Sequence, residues 1–236
     1  MLLKELREEV LEANLELVRR GLVLYTFGNA SGVDREQGLV VIKPSGVDYD
    51  KLKPEHMVVT DLEGEIVEGN LRPSSDLDTH TLLYREFPSI GAVVHTHSDY
   101  ATSFAQAGLP IPALGTTHAD YFYGPVPVTE PLSDEAIQGR YVHETGRAIV
   151  ERFRNGEDGQ AIDPLAVPAC LVAGHAPFVW GRNAHDAAHN AVVLEAVAKM
   201  AYQTLTLRAN CEGVSKALLD RHYFRKHGAS ATYGQC

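Results

Sequence analysis

The chain has 236 residues, 44% of them hydrophobic, and a formal net charge of -10. That is enough apolar material for a full core and too little positive charge for a general nucleic-acid or anionic-membrane surface. No apolar run approaches the ~20 residues of a membrane span, and acidic residues interrupt "MLLKELREEV" where a secretory signal would stay apolar, so a cytoplasmic location is the expectation. Cys170, Cys211 and Cys236 lie far apart and outside any Cys-x-x-Cys pattern, which suits reduced thiols.

Leu3, Leu6, Val10, Leu17 and Val18 recur at helical spacing, and Gly21 stands where a C-terminal cap belongs, so residues 2–20 are predicted to form an amphipathic helix. "LVLYTF", "LVVIKP", "MVVTD" and "EIVEG" follow as short β-prone runs separated by turn signals, the pattern of antiparallel hairpins. Ser75 and Asp78 have the spacing of a capping box for a helix that runs through Phe87 and stops at Pro88. Strand "AVVH" comes next, then a helix over 99–107 and a Gly-, Pro- and Thr-rich stretch over 108–131, too long for a simple turn. A helix over 141–154 precedes the loop "NGEDGQAIDP". "ACLVAGH" and "PFVW" are expected as two strands about a bend at Ala176-Pro177. The longest predicted helix spans 184–208, with Ala187, Ala191, Leu194, Ala198, Ala201 and Leu205 on one face, and a last helix spans 215–227. With no repeat and no linker, a single domain over 1–236 is expected, a mainly antiparallel sheet packed by helices.

"VHTHS" places His95 and His97 two apart at the end of a strand, where alternation turns both imidazoles to one face and toward one ion. His175, at the end of an apolar run, is a third candidate ligand. Asp76 in "RPSSD" is a fourth, although a helix cap explains it equally well. His185 and His189 in "HDAAH" imitate a zinc-protease helix, but Asp186 is shorter than the glutamate that motif uses as base, so a structural role is expected. "GNASG", "KPSG" and "PSSD" offer small residues, hydroxyls and a cation suited to phosphate, each a weak signal alone.

Taken in order, "EANLELV", "TFGNASGVD", "VIKPSGVDY", "PSSDLDTH", "VHTHS", "GTTHADYFYG", "HAPFVWG" and "HYFRKHGASATYGQ" resemble the zinc-dependent class II aldolase/epimerase family along nearly the whole chain. The resemblance implies a three-layer α/β/α fold with a central, mainly antiparallel sheet. It also implies a homotetramer in which Tyr233 reaches the active site of an adjacent subunit. By the same resemblance Asp76, His95, His97 and His175 surround Zn2+ or another divalent ion. Gly28, Asn29, Ser45, Gly46, Ser74 and Ser75 line a sugar phosphate, Asp120 and Tyr233 are paired acid/base groups, and Lys43, Thr116 and His222 assist. Related aldolases usually carry Glu where Asp76 stands, and the shorter Asp combined with Asp120 in "THADYFYG" favours the epimerase branch, so the resemblance implies epimerisation at C4, interconverting L-ribulose 5-phosphate and D-xylulose 5-phosphate. The alternatives are a class II sugar-phosphate aldolase and a non-catalytic assembly module of the same fold. "NGEDGQAIDPLAVPAC" and the terminal Cys236 depart from the family's wording.

Overall fold

The computed structural model describes residues 1–156, 159–227 and 231–232. Strands β1 (Asn29–Asp34), β2 (Leu39–Ile42), β3 (Val58–Asp61), β4 (Ile66–Glu68), β5 (Ala92–His95), β6 (Ala169–Leu171) and β7 (Pro177–Gly181) form one sheet in the order β4-β3-β2-β1-β5-β7-β6. Every neighbouring pair is antiparallel. The helices are α1 (Lys4–Arg19), α2 (Leu77–Glu86), α3 (Asp99–Ala107), α4 (Thr116–Ala119), α5 (Asp134–Gln138), α6 (Tyr141–Arg154), α7 (Ala184–Leu207) and α8 (Lys216–His227).

Alternation along the strands divides the core in two. Ala30, Val41, Val59, Val94, Leu171 and Val179 point to one face and pack with Val10 and Leu17 of α1, Phe104 of α3 and Ala191 and Leu194 of α7. Their neighbours Val40, Val93, Cys170, Phe178 and Trp180 point to the other and pack with Leu83 and Tyr84 of α2 and Ile149 and Phe153 of α6. Helices on both faces of an antiparallel sheet make the expected α/β/α layers. Each fully buried Val, Leu or Phe contributes about 1.5–3 kcal/mol to holding them together.

Four local expectations are corrected. "LVLYTF" forms no strand: Tyr25 has a left-handed φ of 52°, and Leu24, Tyr25 and Phe27 are exposed. The strand is instead the polar, small-residue "NASGVD", which lies between β2 and β5 and so has ladder partners on both sides. It is small for a reason, because a Cβ at Gly32 would stand 2.8 Å from Leu6 Cδ1 of α1. The Ser75–Asp78 capping box is absent; Asp76 is the N-cap of α2 and its side chain makes no capping bond. The "ACLVAGH" strand stops at Leu171, and Val172 to Ala176 form a tight turn closed by Val172 N–H to the Ala176 carbonyl at 3.0 Å. Strand β5 ends at His95, so His97 lies just beyond the ladder. Among the described residues no helix is long and apolar enough to cross a membrane.

Candidate metal centre

The end of β5 meets the β6–β7 turn because β5 pairs with β7, with His95 opposite Phe178. This brings His175 beside His95 and His97, and one potential ligand atom from each of the three lies within 4.8 Å of the others. His95 Nε2 and His97 Nε2 are 3.1 Å apart. Two nitrogens bound tetrahedrally to one zinc at ordinary bond length would stand about 3.3 Å apart, so the pair fits a shared ion with little movement. The second nitrogen of His95 supports that use: Nδ1–H donates to the Pro177 carbonyl at 2.9 Å, which fixes the tautomer and leaves Nε2 with its lone pair free. Phe178 stacks on the His95 ring, centroids 4.2 Å apart and 17° from parallel.

Charge points the same way. Burial lowers the pKa of His95, with Asp76 opposing. Burial, and then the neighbouring His95, lower that of His97. Burial followed by His95 and His97 takes His175 down to about 4. Three imidazoles kept neutral at pH 7 are in the state that binds a divalent cation.

Asp76 lies outside that set of three and beside it. Burial works against its ionisation, but His95, His80, a hydrogen bond from Asn29 and His175 outweigh it, and the carboxyl sits below its ordinary range. Asn29 Nδ2–H donates to Asp76 Oδ2 at 2.7 Å. Asn29 Oδ1 is buried and has no protein partner among the described residues, an acceptor ready for a ligand hydroxyl. Gly28 has φ +92°, and a Cβ there would lie 2.9 Å from the His95 carbonyl oxygen, so only glycine lets this turn pass so close to the centre.

The other small-residue turns gather alongside. Ser74 N–H donates to the Lys43 carbonyl at 3.0 Å and Ser45 N–H to the Arg72 carbonyl at 2.9 Å. Ser45, Gly46 and Ser75 are exposed there, while Ser74 is buried. The Lys43 ammonium is buried, 4.6 Å from the centre of the Tyr49 ring and 3.3 Å from the Pro44 carbonyl. Burial pulls its pKa down to about 8, against the pull of Asp48. Tyr49 in turn donates its hydroxyl to the Gly28 carbonyl at 2.8 Å, tying this turn to the first.

Asp120, Thr116 and His222 form a second group. Thr116 opens α4 and accepts the Asp120 N–H at 2.9 Å. Arg225 grips both Asp120 oxygens, Nε to Oδ1 at 3.0 Å and Nη2 to Oδ2 at 2.8 Å, and His222 Nδ1 lies 3.0 Å from Oδ1. Lys226 stands 3.8 Å from Oδ2, and His227 Nε2 donates to the Asp120 carbonyl. Burial opposes ionisation of Asp120, and Arg225, His222 and Lys226 overcome it, holding the carboxyl below its ordinary range. Among the described residues the partners of the Asp120 carboxylate all come from α8, and none is one of the three histidines. Tyr233 lies outside the described residues. His185 and His189 are exposed on α7; His189 meets the Tyr121 hydroxyl at 3.2 Å, and among the described residues neither joins a metal-binding set.

Further residues touch these groups without having been singled out in the sequence: Arg225, Lys226 and His227 at Asp120, and Tyr141 at His175. Arg225 follows His222 by three positions, one helical turn on the same face, and that spacing could have revealed it. Tyr141, whose hydroxyl lies 3.3 Å from His175 Nδ1, carries no comparable signal.

The fold is shared with solved structures. An L-fuculose 1-phosphate aldolase is 25% identical, with 94% of this chain and 96% of that one aligned at a TM-score of 0.75. YgbL from Escherichia coli (24%, 92% and 97%, TM-score 0.71) and the L-fuculose-1-phosphate aldolase from Thermus thermophilus (24%, 89% and 98%, TM-score 0.66) share the architecture. The family model for the Class II Aldolase and Adducin N-terminal domain matches residues 8–202. The protein belongs to the class II aldolase/adducin domain family.

Proposed function

We propose that this protein is a C4 epimerase of pentulose 5-phosphates, interconverting L-ribulose 5-phosphate and D-xylulose 5-phosphate with a divalent ion, zinc first among candidates. The observation that carries the reading is the convergence of three neutral imidazoles beside a short carboxylate, Asp76, that Asn29 already holds. Where aldolases of this family usually carry a glutamate, the shorter, tethered Asp76 is poorly placed to act as a travelling base.

The substrate's own chemistry selects the route. In a 2-ketose the carbonyl acidifies C3–H but not C4–H, so direct deprotonation cannot invert C4. Cleavage of C3–C4 can. The C4 hydroxyl proton leaves to a base, C4 becomes the aldehyde carbon of glycolaldehyde phosphate, and the bonding pair passes to the dihydroxyacetone half as an enediolate. When bound by His95, His97 and His175, a divalent ion supplies positive charge where that negative charge develops. Asn29 Oδ1 accepts a hydroxyl of the ketose half. Ser45, Gly46, Ser74, Ser75 and Lys43 hold the phosphate while the aldehyde turns its other face. Re-addition closes the bond, and a proton returns to O4. The two epimers present O4 on opposite sides, so two groups are needed, and Asp120 and Tyr233 take these roles. Thr116 and His222 help set Asp120.

That none of the described partners of the Asp120 carboxylate is one of the three histidines supports a site completed between subunits of a homotetramer. The reading is tested by incubating purified protein with each pentulose 5-phosphate in deuterated water. The opposite epimer should appear without deuterium at C4; stoichiometric deuterium there, or a need for added nicotinamide cofactor, rules the cleavage route out. The second reading, a sugar-phosphate aldolase, is favoured by the 25% identity to the L-fuculose 1-phosphate aldolase. It predicts that a ketose 1-phosphate is split and that aldehyde and dihydroxyacetone phosphate accumulate.

A further inference from the structure

An imidazole that binds a metal through one nitrogen is as a rule fixed by a hydrogen bond at the other, which sets its tautomer and its orientation. For His95 the Pro177 carbonyl does this. His175 stands in a turn, half-buried, and its ring has one hydrogen-bonding neighbour among the described residues: the Tyr141 hydroxyl, 3.3 Å from Nδ1, with ring centroids 6.1 Å apart. Resting on the reading of the three histidines as a metal centre, we propose that Tyr141 is a positioning residue for it: its phenol oxygen accepts Nδ1–H of His175 and so presents Nε2 to the ion.

The placement of Tyr141 is itself well determined. It is the first residue of α6, and Thr145 Oγ1 donates to its carbonyl at 2.9 Å. Thr79 Oγ1 of α2 donates to the next carbonyl, that of Val142, at 2.5 Å. The two helices approach so closely that a Cβ on Gly146 would come within 2.9 Å of Leu82 Cδ2. Helix α2 is the same element whose N-cap is Asp76. One helix pair therefore fixes both Asp76 and the partner of His175, and the β6–β7 turn is oriented from outside itself.

Tyr141→Phe keeps the ring and removes only the acceptor. Titrated against a chromogenic chelator, zinc should bind the variant about 10- to 100-fold more weakly than the parent. Its Co2+ form should show an altered visible spectrum, while the melting temperature of the metal-free protein stays close to the parent's. Activity lost at limiting zinc should return at saturating zinc. Parent-like zinc affinity and an unchanged cobalt spectrum would overturn the proposal while leaving the metal centre intact. If the parent itself bound neither ion, the metal-centre reading would fail and this one with it. A measurement on the unmutated protein covers the case of a variant that does not fold. In 15N-labelled parent, the His175 signal perturbed by zinc should be Nε2, with a proton on Nδ1, and attachment through Nδ1 contradicts the assignment.

Discussion

The two polar groups of this molecule solve opposite problems. Around His95, His97 and His175, burial keeps three bases neutral and their lone pairs converge on one space. Around Asp120, an anion is saturated by Arg225, His222 and Lys226. The first group is a set of neutral bases that could hold a cation, and the second is an anion already neutralised. Low local dielectric makes both arrangements matter: a convergent set of unfilled donors is costly unless something fills it, whereas a paired carboxylate is stable as it stands. The three histidines could hold an ion, as the proposed function requires, and Asp120 is held as a carboxylate by the cations around it.

Removing a histidine should break the first region outright. His97→Asn is expected to lose metal and activity together, with kcat lower by about 10^3-fold or more, since several kcal/mol of barrier lowering go with the ion. Metal analysis beside the assay checks it, and equal occupancy in variant and parent would remove His97 from the centre. In the second region, Asp120→Asn should cost about 10^2- to 10^4-fold in kcat with metal content unchanged. It also leaves Arg225 facing a neutral amide, and chemical denaturation should register a loss of about 1–3 kcal/mol.

Acid sharpens the comparison, because the two regions answer to it at different pH. His80 is fully buried beneath the centre, and burial takes its pKa down to about 3, with Asp76 opposing. A depressed folded-state value means that the unfolded chain binds the extra proton first, so this stability is present above the unfolded pKa near 6.5 and is lost as pH falls toward the folded value. Between pH 6.5 and 5 the loss from His80 is about 2 kcal/mol. His80→Leu should flatten the pH dependence of unfolding by that amount, and an unchanged slope would show that His80 does not carry it. Asp120, with its carboxyl held low by the cations around it, keeps its contribution through this window and loses it only in stronger acid. The smallest effect is expected for Asn29→Ala, which frees Asp76 and removes the unpartnered Oδ1: about a tenfold loss in kcat/KM, worth ~1.4 kcal/mol, with metal affinity little changed.

Most helices and strands and the His95–His97 pair were legible because they rest on short-range regularities, while the α/β/α layering was implied by the family resemblance. Helical spacing marked α1 and α7, β-prone runs between turn signals marked β2 to β4, and a two-residue spacing at a strand end marked His95 and His97. What was illegible depended on partners distant in sequence. "NASGVD" lacks β-prone residues, and its strand exists because β2 and β5 satisfy it from both sides and α1 needs Gly32 to be small. "LVLYTF" has the right composition and no such partners. The capping box at Ser75 does not form because α2 begins one residue later, with Asp76 as its N-cap and the Asp76 side chain engaged by Asn29, 47 residues earlier. Tyr141 stands 34 residues from His175, and the packing of α6 on α2 and on the sheet brings them together.

The most direct test asks whether the two regions form one site between subunits. His97→Asn and Asp120→Asn proteins, each inactive alone, should be dissociated, mixed in equal amounts and reassembled. If each site takes its histidines from one subunit and Asp120 from the next, about one quarter of the sites in random tetramers regain both and activity returns in that proportion. Verified mixed oligomers that stay as inactive as either variant would contradict the account, placing both groups in the service of a site built within one chain.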